Sequence, residues 1–339
     1  MHLFRYCRIV FWTFLTVSTI ADLSYGQSLT YSEVAGSLGI RHSYQIAGIY
    51  GGGATFYDFD QDGWDDITLA SGSGDSIHFY KNQGGMFVKL PCFINNTSEA
   101  KSVIWVDYDN DGDKDLYVSS YLGTNRLYNN DGAFNFTDVT SSADLPLDTF
   151  PSFGASWADY DNDGLLDLYF VNRSSYSTWT YTNYLYRNLG NGIFENVTTS
   201  LAVGDGIRSP LCAGFFDYDQ DGDQELYTAL EMLGDQNSLF ENTGGAAFID
   251  VSAASGANID IEAMCVAVGD YNGDSHMDIY VTNRITGNKL LQNTGSKTFN
   301  EVASIANVEM NSVGWGAWFL DADNDGKLDI YVSGSSPGT

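Results

Sequence analysis

The chain has 339 residues, in which 44 Asp and Glu outnumber 15 Lys and Arg for a net charge of −29. That excess excludes a nucleic-acid backbone or an anionic membrane surface as partner, and 43% hydrophobic with 14% aromatic residues excludes a disordered acidic tail. The 36 glycines against 5 prolines point to many tight turns between short strands.

Residues 1–26 read as a secretory signal peptide. Arg5 and Arg8 form a basic start, residues 9–21 an apolar core of 13 residues, and Ser24 and Gly26 precede a cut ahead of Gln27. A membrane anchor is the competing reading, but the core is short of the ~20 residues that a spanning helix needs. The mature chain, residues 27–339, is expected to be secreted or held at the cell surface. It keeps Cys92, Cys212 and Cys265, which permit at most one internal disulfide.

One nine-residue pattern then recurs six times, with starts 49, 52, 58, 53 and 51 residues apart. It reads DFDQDGWDD, DYDNDGDKD, DYDNDGLLD, DYDQDGDQE, DYNGDSHMD and DADNDGKLD. Acids at positions 1, 3 and 5 aim three oxygens at one point of a tight turn. Gly at 6 takes the left-handed conformation that reverses the chain, and a backbone carbonyl at 7 with a carboxylate at 9 completes an oxygen cage. Such hard ligands in a flexible loop suit Ca²⁺ rather than Mg²⁺. The candidate ligands are Asp58, Asp60, Asp62, Trp64 and Asp66; Asp107, Asp109, Asp111, Asp113 and Asp115; Asp159, Asp161, Asp163, Leu165 and Asp167. They continue as Asp217, Asp219, Asp221, Asp223 and Glu225; Asp270, Asn272, Asp274, His276 and Asp278; Asp321, Asp323, Asp325, Lys327 and Asp329. About six calcium sites follow.

An EF-hand would need helical flanks and an acid at position 12, where this chain has Leu69, Val118, Phe170, Thr228, Val281 and Val332. A metal-free acidic hairpin does not explain carboxylates at fixed positions in six copies. The copies beginning at Asp107, Asp159 and Asp321 match fully. The weakest binding is expected at Asp270, where Asn272 removes a charge and Ser275 replaces the glycine at a cost of ~1 kcal/mol.

Around every loop the sequence is strand-like. DLYVSS, DLYFVN or DIYVTN follows it, then NRLYNN, NYLYRN, NSLFEN or NKLLQN, then a Gly-containing turn and a run beginning with Phe. No 3.6-residue period persists. The fold class is therefore all-β: a β-propeller of four-stranded blades of about 50 residues, six or seven in number. Five residues before each loop stand Gly53, Ser102, Gly154, Cys212, Cys265 and Gly316, all small, as innermost strands converging on an axis require. Cys212 and Cys265 occupy equivalent places in neighbouring blades, poor geometry for a bridge, so free thiols are expected. Residues 29–38 read as a fourth strand, while the last copy supplies only two strands. The last blade is expected to be incomplete and the sequence part of a longer chain.

These repeats resemble the FG-GAP/VCBS repeats of integrin-type β-propellers over roughly residues 29–335. The resemblance implies that the loop joins the first two strands of each blade and binds Ca²⁺ through positions 1, 3, 5, 7 and 9. SFGASWADYDNDGLLDLYF and NYLYRNLGNGIFENVT look most like the secreted ASPIC/UnbV and cartilage acidic protein branch. Adhesion proteins, lectins and some lyases share the fold, so fold alone does not fix function.

On the face away from the loops the third repeat has a long 2–3 connection, residues 171–183, with Arg173, Tyr176, Trp179 and Tyr181, near Phe150 and Arg208. Aromatics beside arginine suit an extracellular protein or glycan partner. His42 and His78 read as isolated residues. The functional reading is a non-enzymatic calcium-binding module for adhesion or ligand binding. The alternative is a polysaccharide-active, lyase-like enzyme, which needs a base and a general acid grouped in a cleft. The basic residues read as scattered.

Overall fold

The computed structural model describes residues 32–44, 50–174, 180–285 and 287–335. The signal-peptide segment and the side chains of Tyr176 and Trp179 lie outside these residues. The chain divides into two compact units, residues 1–34 and 35–339. In the first only residues 32–34 are described, with neither helix nor strand. The sheets all belong to the second.

Each of the first five repeats folds as a four-stranded antiparallel meander. These are β1 (Ala54–Tyr57), β2 (Asp66–Leu69), β3 (His78–Asn82) and β4 (Phe87–Lys89); β5 (Ala100–Val106), β6 (Asp115–Gly123), β7 (Arg126–Asn130) and β8 (Phe136–Asp138); and β9 (Phe150–Ala158), β10 (Asp167–Asn172), β11 (Tyr184–Asn188) and β12 (Phe194–Asn196). The fourth has β13 (Pro210–Phe216), β14 (Glu225–Leu230), β15 (Ser238–Asn242) and β16 (Phe248–Asp250), and the fifth β17 (Ala263–Gly269), β18 (Asp278–Asn283), β19 (Lys289–Asn293) and β20 (Phe299–Glu301). In the sixth, β21 (Val313–Leu320) and β22 (Asp329–Ser335) pair with each other alone among the described residues. One-turn helices, α1 (Thr198–Leu201) and α2 (Ser252–Ser255), follow β12 and β16.

In the first five repeats the second strand is heavily buried because it is covered on both faces. Alternation sends Leu168 and Phe170 into a core shared with the second repeat, and Tyr169 and Val171 into one shared with the fourth. Similar cores fill every other junction between consecutive repeats. At the centre, Phe153, Leu211 and Met264 pack with Tyr50, Tyr121 and Trp315, so each repeat contributes to one axial cluster. The Tyr50 ring lies 5.9 Å from Phe153 and 5.5 Å from Trp315, bringing the first and last repeats to the same axis. The small residues beside these side chains behave as convergence demands. A Cβ on Gly154 would lie 2.8 Å from the carbonyl oxygen of Leu211 in the next repeat. The fold is an all-β propeller.

Cys92, Cys212 and Cys265 are free thiols. Of the strand expected over residues 29–38, residues 29–31 lie outside the described residues; the rest is corrected, since residues 35–39 form a turn, closed by Ile40 N–H donating to Ala35 at 2.8 Å. The same turn follows the fourth strand elsewhere, where Leu145 donates to Thr140 and Ala257 to Ser252. Its Leu38 carbonyl accepts from Phe87 N–H at 2.7 Å, docking the turn on the first sheet as the turn after β8 docks on the third, where Ala143 accepts from Phe194.

Candidate metal centres

All six acidic loops join the first strand of a repeat to the second, and position 9 opens the second strand. Asp115 pairs with Val106, Asp167 with Ala158 and Asp278 with Gly269 in register. Two left-handed residues fold each loop. Position 6 is one, with φ of +84° to +96° at its glycines and +70° at Ser275. Position 4 is the other: Gln61, Asn110, Asn162, Gln220, Gly273 and Asn324 have φ of +57° to +73°. Sequence reasoning missed position 4, although three of its six residues are Asn, which tolerates this conformation. In every loop but the second, where Asp107 Oδ1 has no partner, the position-1 carboxylate accepts at least two loop amides. Asp159 takes Asp163 N–H at 2.9 Å and Gly164 N–H at 2.8 Å, and Asp321 takes Asp325 and Gly326 at 3.0 and 2.9 Å.

Position 9 is fully buried in five repeats, at Asp66, Asp115, Asp167, Glu225 and Asp278. A second unforeseen residue holds it there, the Asn ending each third strand. Its N–H donates to the carboxylate: Asn82 to Asp66 at 2.7 Å, Asn130 to Asp115 at 2.9 Å, Asn188 to Asp167 at 2.7 Å and Asn293 to Asp278 at 2.8 Å. Its side chain also straps repeats together. Asn188, Asn242 and Asn293 donate at 2.7 Å to the position-2 carbonyls of the preceding repeat, Tyr108, Tyr160 and Tyr218. The recurrent final Asn of NRLYNN, NYLYRN, NSLFEN and NKLLQN was the available signal. Asp329 is exposed, since among the described residues no third strand pairs with β22.

Burial pushes these acids up, against the amide hydrogen bonds and together with the neighbouring aspartates: Asp115 and Asp167 to about 7, Glu225 to about 8 and Asp278 to about 6. Each loop gathers negative charge that only a cation or protons can neutralise.

Oxygens of three acids fall within 4.8 Å of one another in five loops: Asp58, Asp60 and Asp62; Asp107, Asp109 and Asp115; Asp159, Asp161 and Asp167; Asp217, Asp219 and Glu225; Asp321, Asp323 and Asp325. The Asp270 loop makes no such cluster among the described residues. There Asn272 Nδ2 donates to Asp274 Oδ2 at 2.9 Å. Asp111, Asp163 and Asp221, at position 5, lie outside the clusters of their loops and instead accept the N–H two residues on.

The full-match loops are not equal. In the Asp107 loop, Asp107 Oδ1, Asp109 Oδ1 and Asp113 Oδ1 are buried without a hydrogen-bond partner. In the Asp159 loop, Arg187 reaches Asp161 at 2.6 Å and Asp163 at 3.2 Å. Lys81 likewise pairs with Asp60 and Asp62, and Lys297 with Asp219. The donor set fits a hard divalent cation: acidic oxygens, several of them buried and unpartnered, in a turn built from loop amides.

On the opposite face several expectations are corrected. Phe150 is buried and packs on Tyr181 and Tyr184. Arg208 is engaged by Asp205 at 3.1 Å, and Arg173 by Glu231 at 2.6 Å. Phe150 is thus covered within its own repeat, Arg208 is paired on its own connection, and Arg173 is paired with the following repeat. The basic residues are not all scattered. Lys101 sits buried at the axis, bonded to Glu99 at 2.6 Å and to the Tyr50 carbonyl at 3.0 Å, while Glu231 accepts from both Tyr50 and Arg173. His42 and His78 are not isolated either; their Nδ1 atoms lie 3.0 Å apart, with Asp75 3.3 Å from His78.

A propeller built on acidic loops between first and second strands defines a class of repeat protein. The FG-GAP-like repeat profile matches residues 58–118, 107–170, 217–281 and 270–332, and the chain belongs to that family. Among individual proteins it is similar to cartilage acidic protein 1, 29% identical to the mouse protein and 28% to the human one over 260 residues. The match covers 70% of this chain, which spans about 40% of the length of these relatives. Among solved structures, a lectin from Agrocybe aegerita that recognises non-reducing terminal N-acetylglucosamine superposes with a TM-score of 0.52 at 18% identity. That match covers 83% of this chain and 74% of the lectin, and the likeness is one of fold. No helix among the described residues is long and apolar enough to cross a membrane.

Proposed function

We propose that residues 27–339 form a secreted, calcium-stabilised propeller that presents its loops to an extracellular protein or glycan. The observation that carries the calcium reading is the trio of buried, unpartnered oxygens on Asp107, Asp109 and Asp113, since leaving such groups without a partner costs about 1–3 kcal/mol each or more when charged. In each loop, positions 1, 3, 5 and 9 with the carbonyl of position 7 would hold the ion. The ion would neutralise the acids and tie the loop to the second strand.

The leader-like N-terminus and the similarity to cartilage acidic protein 1 support an extracellular location. A binding role is favoured over catalysis because the charged groups at the axis are spent on one another: Lys101 on Glu99, and Arg173 and Tyr50 on Glu231.

Melting the protein in calcium and in EDTA tests the metal, and an unchanged transition would sink it. An array of glycans and matrix proteins tests the binding role. Saturable calcium-dependent capture of a defined probe is expected, and turnover of a polysaccharide would overturn it.

A further inference from the structure

The acidic loops are wired to one another around the ring. The left-handed turn at position 4 throws that side chain forward onto the next loop. Asn110 Nδ2 donates to the position-6 carbonyl of Gly164 at 2.9 Å. Asn162 Nδ2 donates to Asp223 Oδ1 at position 7 of the following loop, at 2.9 Å. Gln220 Nε2 donates to the Ser275 carbonyl and lies 3.2 Å from His276 Nδ1, positions 6 and 7 of the loop after that. Three consecutive junctions thus use one device. It stops at Gly273, which has no side chain to send to the sixth loop.

A second strap runs the other way. Asn188 holds position 9 of its own loop through its N–H and position 2 of the preceding loop through Nδ2, and Asn293 does the same two junctions further on. Ordering one loop therefore fixes groups that belong to the next.

Resting on the calcium reading above, we infer that calcium sites two to five bind cooperatively, with Asn110, Asn162 and Gln220 as positioning residues that carry the coupling and Gly273 as its end. An ion that clamps one loop sets the position-4 turn. The amide on that turn then pins positions 6 and 7 of the neighbour, including the segment that offers the position-7 carbonyl, so the neighbour loses less freedom when it binds. The linking amides face solvent, so the expected coupling is about fivefold in affinity per junction, the low end for coupled sites.

Calorimetric calcium titration of the whole chain tests this with the triple variant Asn110→Gly, Asn162→Gly and Gln220→Gly. Glycine keeps the left-handed turn, as Gly273 does naturally, and no proposed ligand is touched. A melting scan in EDTA checks that the variant folds. The wild type should bind more steeply than independent sites allow, and the variant should lose that steepness while keeping its number of ions. Gly273→Asn, whose Cβ meets nothing within 4 Å, should steepen the curve by enlisting the sixth loop. Calcium binding with no steepness in the wild type, or equal steepness in the triple variant, overturns the coupling alone. No calcium heat from a folded wild type removes the calcium reading and the coupling with it.

Discussion

The loops beginning at Asp107 and Asp270 share a scaffold and differ in what it holds. Both have left-handed residues at positions 4 and 6, a buried position-9 aspartate and a third-strand Asn that donates to it. The second loop nevertheless leaves oxygens of Asp107, Asp109 and Asp113 buried and unpartnered, while the fifth closes on itself through the Asn272–Asp274 hydrogen bond. Asp270 also accepts the amides of Gly273, Asp274 and Ser275, while Asp107 keeps an unpartnered oxygen, so the loops differ in hydrogen bonding as well as in charge. Loop shape and metal capacity are therefore separable, because the left-handed residues at positions 4 and 6 set the shape and the side chains set the site.

The largest effect should come from breaking the scaffold, in an order opposite to metal capacity. Asn293→Ala strands the buried Tyr218 carbonyl, 2.7 Å from Nδ2, and removes a 3.2 Å bond to the Met277 carbonyl, and should cost ~2–4 kcal/mol in denaturant unfolding in the presence of chelator. Asn130 Nδ2 donates to Lys114 within its own repeat, so Asn130→Ala should cost about 1 kcal/mol less. Equal losses would show that the strap between repeats contributes nothing.

A smaller effect is expected from exchanging the distinguishing residue. Asp109→Asn should remove calcium-dependent stabilisation of ~1.4 kcal/mol at ten times the dissociation constant, and Asn272→Asp should add up to as much. The difference between melting with and without calcium reads both, and no gain from Asn272→Asp would break the contrast drawn above.

The smallest effect concerns protons. The folded pKa values of Asp115 and Asp278, about 7 and about 6, exceed the ordinary carboxylate value, so the metal-free folded state takes up protons that the unfolded chain does not. Without calcium, stability should rise as pH falls through 7 toward 4 and be lost as it rises again. Asp115→Asn should flatten the upper part of that rise and Asp278→Asn only the lower part, each on the order of 1 kcal/mol. In calcium the trend should reverse, because protons compete for the same oxygens.

The sequence by itself determined the repeat, its strands and the candidate ligands. Alternating acids, DLY-type runs and Gly turns are local patterns whose physics acts within a dozen residues. It also marked the Asp270 loop as different, because Asn272 and Ser275 are visible without coordinates. Tertiary structure decided what depends on neighbours. Arg187 and Lys81 lie 28 and 23 residues beyond the start of the loops they neutralise, so their third strands had to be placed beside those loops first. Asn188 meets Tyr108 only because consecutive sheets stack face to face, and Lys101 meets the Tyr50 carbonyl only because the first strands converge on one axis. Phe150 and Arg208 read as binding residues in the sequence because burial and pairing are properties of the packed sheet, and the sheet covers the one and pairs the other.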